Sequence, residues 1–501
     1  SLADKALVDR DAAGRYQLLA IARQRFDAAP AGDVQPTPDV RRTHELRRSH
    51  AEYFAEFVHG HEDALVSTGQ AAALAAMTAE IENLRNALDW IIEHERSDLA
   101  LRMTHGLFLL HELRGWFLAG VELFTRMGAI GEPRVCARAV IRAARFQYRL
   151  GLYAEAEMSL ARGLAQATAV GDLDDIAFAI NNQGLVALGL GKPVEAGARL
   201  LESLELRRKA GSSWGVANSV YNLGLVAAAL GDHDKAAGHY RDAMERFKAM
   251  NDARGMSLAL AGLGSASTAV GRYEAAVRSF RDAVQVGEQL GDPFAVASAL
   301  LGEGTVHRLR AHTSEGRAAV ARSLEMFREI GDRAGMSRAL LALSRFVVDE
   351  NDHMSAASLQ REGLTLAREA AFPWGESMAA AYLSETAVAM GNHDEARAQL
   401  ATAIGRALEV QVVPLILRTL LPAHALISPD LGLGLLHFVR EHPGSEHEVR
   451  ETAAHLANVA ESAGVVPASI AAGEVDDASR VVVIAQRVMQ LLKAGEHGRK
   501  H

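Results

Sequence analysis

The residues of this chain best suited to chemistry are few and poorly grouped. His59-Gly60-His61-Glu62 and the trio His442, His447 and Glu448 carry side chains of the metal-ligating kind. Neither group has a Cys partner or the H-E-x-x-H spacing that sets two imidazoles on one helical face toward zinc, and both fall in polar segments, so each reads as surface residues before it reads as a metal site. Cys136 lies between Arg134 and Arg138, whose charge would favour its thiolate. Its place on an apolar helical face argues instead for a small core residue, and no His-Asn set accompanies it. Gly191-Lys192-Pro193 is the nearest approach to a phosphate-binding loop, yet Val186 stands where the first glycine is needed and Pro193 where the hydroxyl is needed. No catalytic constellation follows, and the chain is expected not to be an enzyme.

The elements that must position any functional side chain here are repeats. Gly184, Gly224, Gly264 and Gly304, then Ser344 and Ser384, recur every 40 residues. A second series runs Gly151, Gly191, Gly231, Gly271, Ala311, Asn351 and Gly391, and a third runs Ala156, Ala196, Ala236, Ala276, Gly316, Ala356 and Ala396. Three series in one period, over seven units from about residue 137 to about residue 415, mark a solenoid of stacked supersecondary units. In the unit 217–250, Val220, Leu223, Gly224, Ala227 and Leu230 share one helical face, and Gly231 ends that helix. Asp232-His233-Asp234 makes a polar turn, and Ala236, Ala237, Tyr240, Ala243 and Phe247 form the stripe of a second helix. Each unit is a helical hairpin. Gly224 and Ala236 sit where its helices must approach closely, so a bulky residue at Gly224 is expected to force them apart. The joints between units, Gly171-Asp172, Gly211-Ser212, Asn251-Asp252, Gly291-Asp292 and Gly331-Asp332, read as a helix C-cap followed by a turn.

Composition agrees. Of the 501 residues, 49% are hydrophobic but only 5% aromatic, which is the Ala and Leu usage of close-packed helices. A net charge of -9 argues against nucleic acid or an anionic membrane as a partner of the chain as a whole. One cysteine excludes an internal disulfide framework and fits a reducing compartment, and no signal peptide or long apolar run is present, so the expected location is the cytoplasm.

The spacing of Gly224, Ala236 and Tyr240 resembles the tetratricopeptide repeat. That family's usual period is about 34 residues, so the extra residues of each unit here lengthen its helices, as in the repeats of kinesin light chains and of the sensor arm in bacterial signal-transduction ATPases. The resemblance implies an all-α, right-handed superhelical solenoid in which the first helix of each hairpin lines a concave face. On that mapping the face carries Arg138, Arg145 and Arg149, then Asn181, Asn182, Leu185 and Leu188, then Asn218, Tyr221, Asn222 and Leu225, then Arg308, Arg338, Arg345, Asp349 and Glu385. The residues proposed to bind are Asn181, Asn182, Asn218, Tyr221, Asn222, Arg145, Arg308 and Arg345. Asn182 and Asn222 occupy matching positions, and an amide offers an extended peptide both a donor and an acceptor; the competing reading is that each amide bonds within its own repeat. The arginines suit a carboxylate or other anion, against the default of a solvated face. Replacing Asn182 and Asn222 together by Ala is expected to weaken binding and leave the melting temperature nearly unchanged.

The N-terminal third resembles a more particular arrangement. Residues 1–30 read as a short helix, a hairpin turning at Asp11-Ala12-Ala13-Gly14, and a helix. The segments Arg47 to Phe54 and Glu80 to Trp90, then Arg114-Gly115, follow in the order found after the nucleotide-binding domain of bacterial signal-transduction ATPases with numerous domains, the STAND regulators. That resemblance implies a winged-helix remnant over residues 1–35, a helical arm over 36–130, the repeat solenoid over 131–425, and a degenerate repeat with capping helices over 426–501. It implies no cofactor in this chain, with ATP or ADP held by an upstream domain. The partners it implies are that nucleotide-binding domain and a peptide, protein or small-molecule inducer on the concave face. A stand-alone scaffold for a peptide or protein is the other reading.

Overall fold

The computed structural model describes residues 8–10, 16–18, 38–470 and 477–497. Strands β1 (Val8–Arg10) and β2 (Tyr16–Leu18) pair antiparallel, with Val8 opposite Leu18 and Arg10 opposite Tyr16. The turn at Asp11 to Gly14 and the flanking helices expected within residues 1–30 lie outside the described residues, as does most of the segment read as a winged-helix remnant. An arm follows, made of α1 (Pro38–His61), α2 (Gln70–Ala79), α3 (Ile81–Glu93), α4 (Ser97–Arg114) and α5 (Phe117–Met127). Seven hairpins come next: α6 (Pro133–Arg149) with α7 (Tyr153–Val170), α8 (Leu173–Gly189) with α9 (Pro193–Lys209), α10 (Ser213–Ala229) with α11 (His233–Ala249), α12 (Ala253–Ala269) with α13 (Tyr273–Leu290), α14 (Pro293–Leu309) with α15 (Thr313–Ile330), α16 (Arg333–Asp349) with α17 (His353–Glu369), and α18 (Pro373–Ala389) with α19 (His393–Val410). The chain closes with α20 (Val413–Leu420), α21 (Pro429–Glu441), α22 (His447–Ser462) and α23 (Asp477–His497).

The joints between hairpins stop one helix and start the next in two residues. Gly171, Gly211, Gly291 and Gly331, with Asn251 in the same place, have positive φ and end the preceding helix. The residue after each caps the following helix: Asp172, Ser212, Asp252, Asp292 and Asp332 accept the backbone N–H three residues on, at 2.9–3.3 Å. Within a hairpin the helices touch where the small residues recur. A Cβ on Gly224 would lie 2.6 Å from the Tyr240 ring, and one on Gly264 2.8 Å from Phe280. A buried serine hydroxyl then ties the two helices of several units. Ser257, Ser337 and Ser377 on first helices donate to the carbonyls of Ala283, Gly363 and Ala403 on second helices. In two other units the bond is reversed, with Ser203 donating to Ala177 and Ser323 to Ala297.

Successive superhelical turns lie directly on one another along a continuous seam. The turn glycines inside hairpins approach chain more than five units further on: a Cβ on Gly115 would meet Ile330 at 3.4 Å, on Gly151 the Ala370 carbonyl oxygen at 2.5 Å, and on Gly191 the Val410 Cα at 2.2 Å. The seam continues onto the C-terminal segment, where Gly231 faces Gly444 and Gly271 faces the His447 ring. Beyond the seam the same position is exposed and holds Ala311, Asn351 and Gly391. Ala311 and Asn351 adopt φ of 59° and 62° there without glycine, so positive φ alone does not require glycine in this series, whereas contact with the next turn leaves no room for a side chain.

Cores follow this plan. The arm helices and α6 share one cluster around Phe124, Phe146, Leu107 and Met103, and α18 to α23 share another around Ile404, Leu417, Leu435 and Ile484, with smaller clusters between hairpins in the middle. Helix α23, expected as an amphipathic cap, packs on α19 and α20 through buried Val481, Ile484, Ala485 and Val488.

Candidate ligand site on the inner face

The proposed binding residues fall into two groups, and each group is built around a carboxylate of the chain itself. In the first, Glu112 at the end of α4 is 4% exposed. Its Oε1 accepts from Arg145 Nη2 at 3.0 Å and from Arg149 Nη2 at 2.7 Å, both on α6. Arg254, at the start of α12, donates to the Glu112 carbonyl at 3.1 Å and pairs with Asp292 at 2.9 Å. Burial alone would raise the Glu112 pKa, but Arg149, Arg145 and Arg254 outweigh it and hold the carboxyl well below the usual range. Arg149 also lies over the Phe117 and Phe294 rings, 5.4 and 5.2 Å from their centroids.

The asparagines sit beside this group, Asn182 and Asn218 bonding within their own helices and Asn222 bonding the preceding repeat. Asn222 donates to Asn181 Oδ1 at 3.1 Å, Asn182 to the Phe178 carbonyl at 2.7 Å, and Asn218 to the Trp214 carbonyl at 3.0 Å. Asn181, Asn182 and Asn222 are all buried. Their removal would strip hydrogen bonds from a closed interior, so the loss of Asn182 and Asn222 is now expected to carry a thermal cost. Tyr221 is half-buried against the Tyr240 ring at 5.6 Å.

The second group gathers on Glu448, in the first turn of α22. Arg308 of α14 bonds its Oε1, and Arg418 of α20 bonds its Oε2 at 2.8 Å and Glu446 at 2.9 Å. Arg345 of α16 contributes charge to Glu448 while pairing with Glu385 at 2.5 Å and lying 4.7 Å from the centre of the Tyr382 ring. Burial works to raise the Glu448 pKa, and Arg418, Arg308 and Arg345 depress it far more. The Nε atoms of Arg345 and Arg338 are buried without an acceptor among the described residues.

The other chemistry-bearing residues have structural partners. His61 bonds the Phe57 carbonyl, His59 pairs with Glu62, and Glu62 accepts the Gly106 N–H at 3.1 Å, fastening α1 to α4. Cys136 Sγ donates to the Gly128 carbonyl. Among the described residues no three His, Cys, Asp or Glu are grouped to hold a metal ion, and no helix is long and apolar enough to cross a membrane. Gly191-Lys192-Pro193 is the turn joining α8 to α9.

Sequence reasoning missed Glu112, Arg254 and Arg418, and took Glu448 only for a metal candidate. For Glu112 there was a signal: one carboxylate inside the apolar run Leu107 to Leu113, which must find cations if buried.

Residues 175–249 match the tetratricopeptide repeat family. No curated protein matches the chain in sequence. Among solved structures, a Rap protein complexed with competence and sporulation factor is 12% identical, covers 73% of this chain and 99% of its own, and has a TM-score of 0.53. The Rap conjugation gene regulator of plasmid pLS20, in complex with the Phr peptide, is 13% identical over 71% of this chain and 96% of its own, with a TM-score of 0.48. A STAND protein with a tetratricopeptide repeat sensor from Pyrococcus horikoshii is 15% identical over 74% of this chain and 53% of its own, with a TM-score of 0.44. At these identities the likeness is one of fold: this is an all-α solenoid of tetratricopeptide-like hairpins, an architecture suited to binding a protein or peptide.

Proposed function

We propose that this chain is a non-enzymatic sensor that binds a peptide or protein segment on its inner face. We further propose that it serves a STAND-type regulator whose nucleotide-binding domain lies outside the sequence described here. The observation that carries the binding role is the gathering of arginines: those from α6 and α12 lie on Glu112, those from α14 and α20 on Glu448, and Arg345 of α16 pairs with Glu385 beside them, instead of facing solvent. A surface that solvates buried carboxylates with multiple guanidinium groups has the chemistry to grip an acidic peptide. The order of β-hairpin, helical arm and repeats supports the regulatory reading. Ligand binding would act there by favouring one arrangement of arm and nucleotide module over another.

The stand-alone scaffold keeps support from one feature: α23 and the arm close the two ends of the solenoid with the chain's own cores. Two measurements test these readings. Fluorescence anisotropy against a library of short peptides, half acidic and half neutral, tests the binding role, which fails if none binds. A P-loop encoded in the genomic frame upstream of Ser1 supports the regulator, and a frame without one leaves the scaffold.

A further inference from the structure

The second arginine group is filled by the turn between two C-terminal helices, which lays two glutamates against it. Between α21 and α22 lies a short non-helical segment, His442 to Glu446, running into the first turn of α22. His442, Gly444 and Ser445 are buried in the turn that joins α21 to α22, two helices packed on each other outside the seven repeats. Gly444 lies against Gly231, and a Cβ on Gly231 would stand 2.7 Å from the Gly444 Cα. The His447 ring covers Gly271 and makes an edge contact with Tyr273 at 5.8 Å between centroids. The segment then delivers Glu446 and Glu448 to Arg418 and Glu448 to Arg308.

Beside these ion pairs, the His233 ring bonds the Gly444 backbone, and the Gly444 N–H donates to His442 Nδ1 at 3.0 Å. Ser445 Oγ donates to the Val439 carbonyl, and Arg450 donates to the Pro443 carbonyl at 2.7 Å, both within the same C-terminal piece. The arginine set is also incompletely used, since Arg345 Nε is buried without an acceptor. Without Glu446 and Glu448, the ion-pair partners left to Arg308, Arg345 and Arg418 among the described residues would be Asp349 and Glu385. Such a site favours a further carboxylate.

We propose that the segment His442 to Glu448 is a latch, an internal stand-in for an acidic peptide ligand, and that an incoming peptide binds Arg308, Arg345 and Arg418 by displacing it. This rests on the reading of the inner face as a peptide-binding surface. Because the latch also bridges Gly231 and Gly271 of the seam, its displacement frees the edge of the superhelix there and couples ligand binding to the pitch of the solenoid.

The test uses the full chain and a labelled peptide with the sequence of Pro443 to Arg450, with a control peptide carrying Gln in place of both glutamates. The latched protein binds with an affinity reduced by the fraction of time the latch is open, so the variant Glu446→Gln with Glu448→Gln should bind about tenfold or more tightly than wild type. Adding Arg345→Gln and Arg418→Gln should abolish the gain, and the control peptide should not bind. Ser445→Ala removes only the tie to Val439 and gives the same comparison should the double Gln variant not fold. Equal affinity for wild type and unlatched protein would overturn the latch and leave the peptide-binding reading standing. Failure of the peptide to bind the unlatched protein overturns the proposal, and if the peptide library also fails to bind, the reading of the inner face falls with it.

Discussion

Ser257 donates its hydroxyl hydrogen to the carbonyl of Ala283 at 2.9 Å, and in other units the same two positions hold the same bond with donor and acceptor exchanged. What the hairpin needs is one hydroxyl between its helices, on either side. Ser257→Ala is expected to cost about 1 kcal/mol. Adding Ala283→Ser should recover most of it by donating back to residue 257. Urea midpoints of the single and double variants decide this, and a double variant no better than the single would show that the two directions are not equivalent here.

Gly191 and Gly391 share φ near +75°, at 77° and 73°, but only Gly191 lies under the next superhelical turn. Gly391→Ala should cost only the strain of left-handed backbone, about 1–2 kcal/mol. Gly191→Ala must also displace Val410 backbone and is expected to lose about 1–3 kcal/mol more. Thermal melts of the two variants side by side isolate the contribution of the seam.

Gly224→Leu would drive a side chain into the Tyr240 ring, where even a Cβ comes within 2.6 Å. The strain is local, because the small cores around Tyr240 and Phe247 reach no further than the neighbouring hairpins. Hydrogen exchange should accelerate first in α10 and α11, and uniform acceleration over the whole chain would contradict that locality.

Acid should loosen the arm. His111 is buried in α4 and its pKa is lowered from 6.5 to about 4, chiefly by burial, against a raising bond to the Leu107 carbonyl. A histidine whose folded pKa is depressed favours the fold fully above its unfolded value, and that contribution is lost as pH falls from 6.5 through 4. The melting temperature should therefore drop across this window, and less so in His111→Gln. An equal drop in both proteins would remove His111 as a source. The carboxylates Glu112 and Glu448, held well below the usual range, should add a further loss only at more acid pH.

The hairpins were legible because their signals are local and periodic. Gly224 against Tyr240, and the end of a helix at Gly231, follow from spacing within one unit. The same period placed Arg145, Arg308 and Arg345 on the first helices of their units, yet it could not supply their partners. Glu112 and Glu448 lie in segments outside the repeat, and Arg254 reaches Glu112 from 142 residues further along the chain. Such contacts depend on small rotations accumulated over several hairpins, which no single window of sequence records. The joints hid a second role for the same reason that they were easy to see: Gly171-Asp172 looked like one stop signal, whereas Asp172 is also the cap that starts α8.

A solenoid whose units touch only their neighbours melts from its ends inward, one unit at a time. Here Gly115, Gly151 and Gly191 rest on chain more than five units away, and the C-terminal segment rests on Gly231 and Gly271. Each unit on the seam therefore has companions above or below as well as beside it, and the ends are tied to the middle. Unfolding should be closer to the breaking of a closed coil than to the fraying of a rope, with a single steep transition where an open array of seven hairpins would show several.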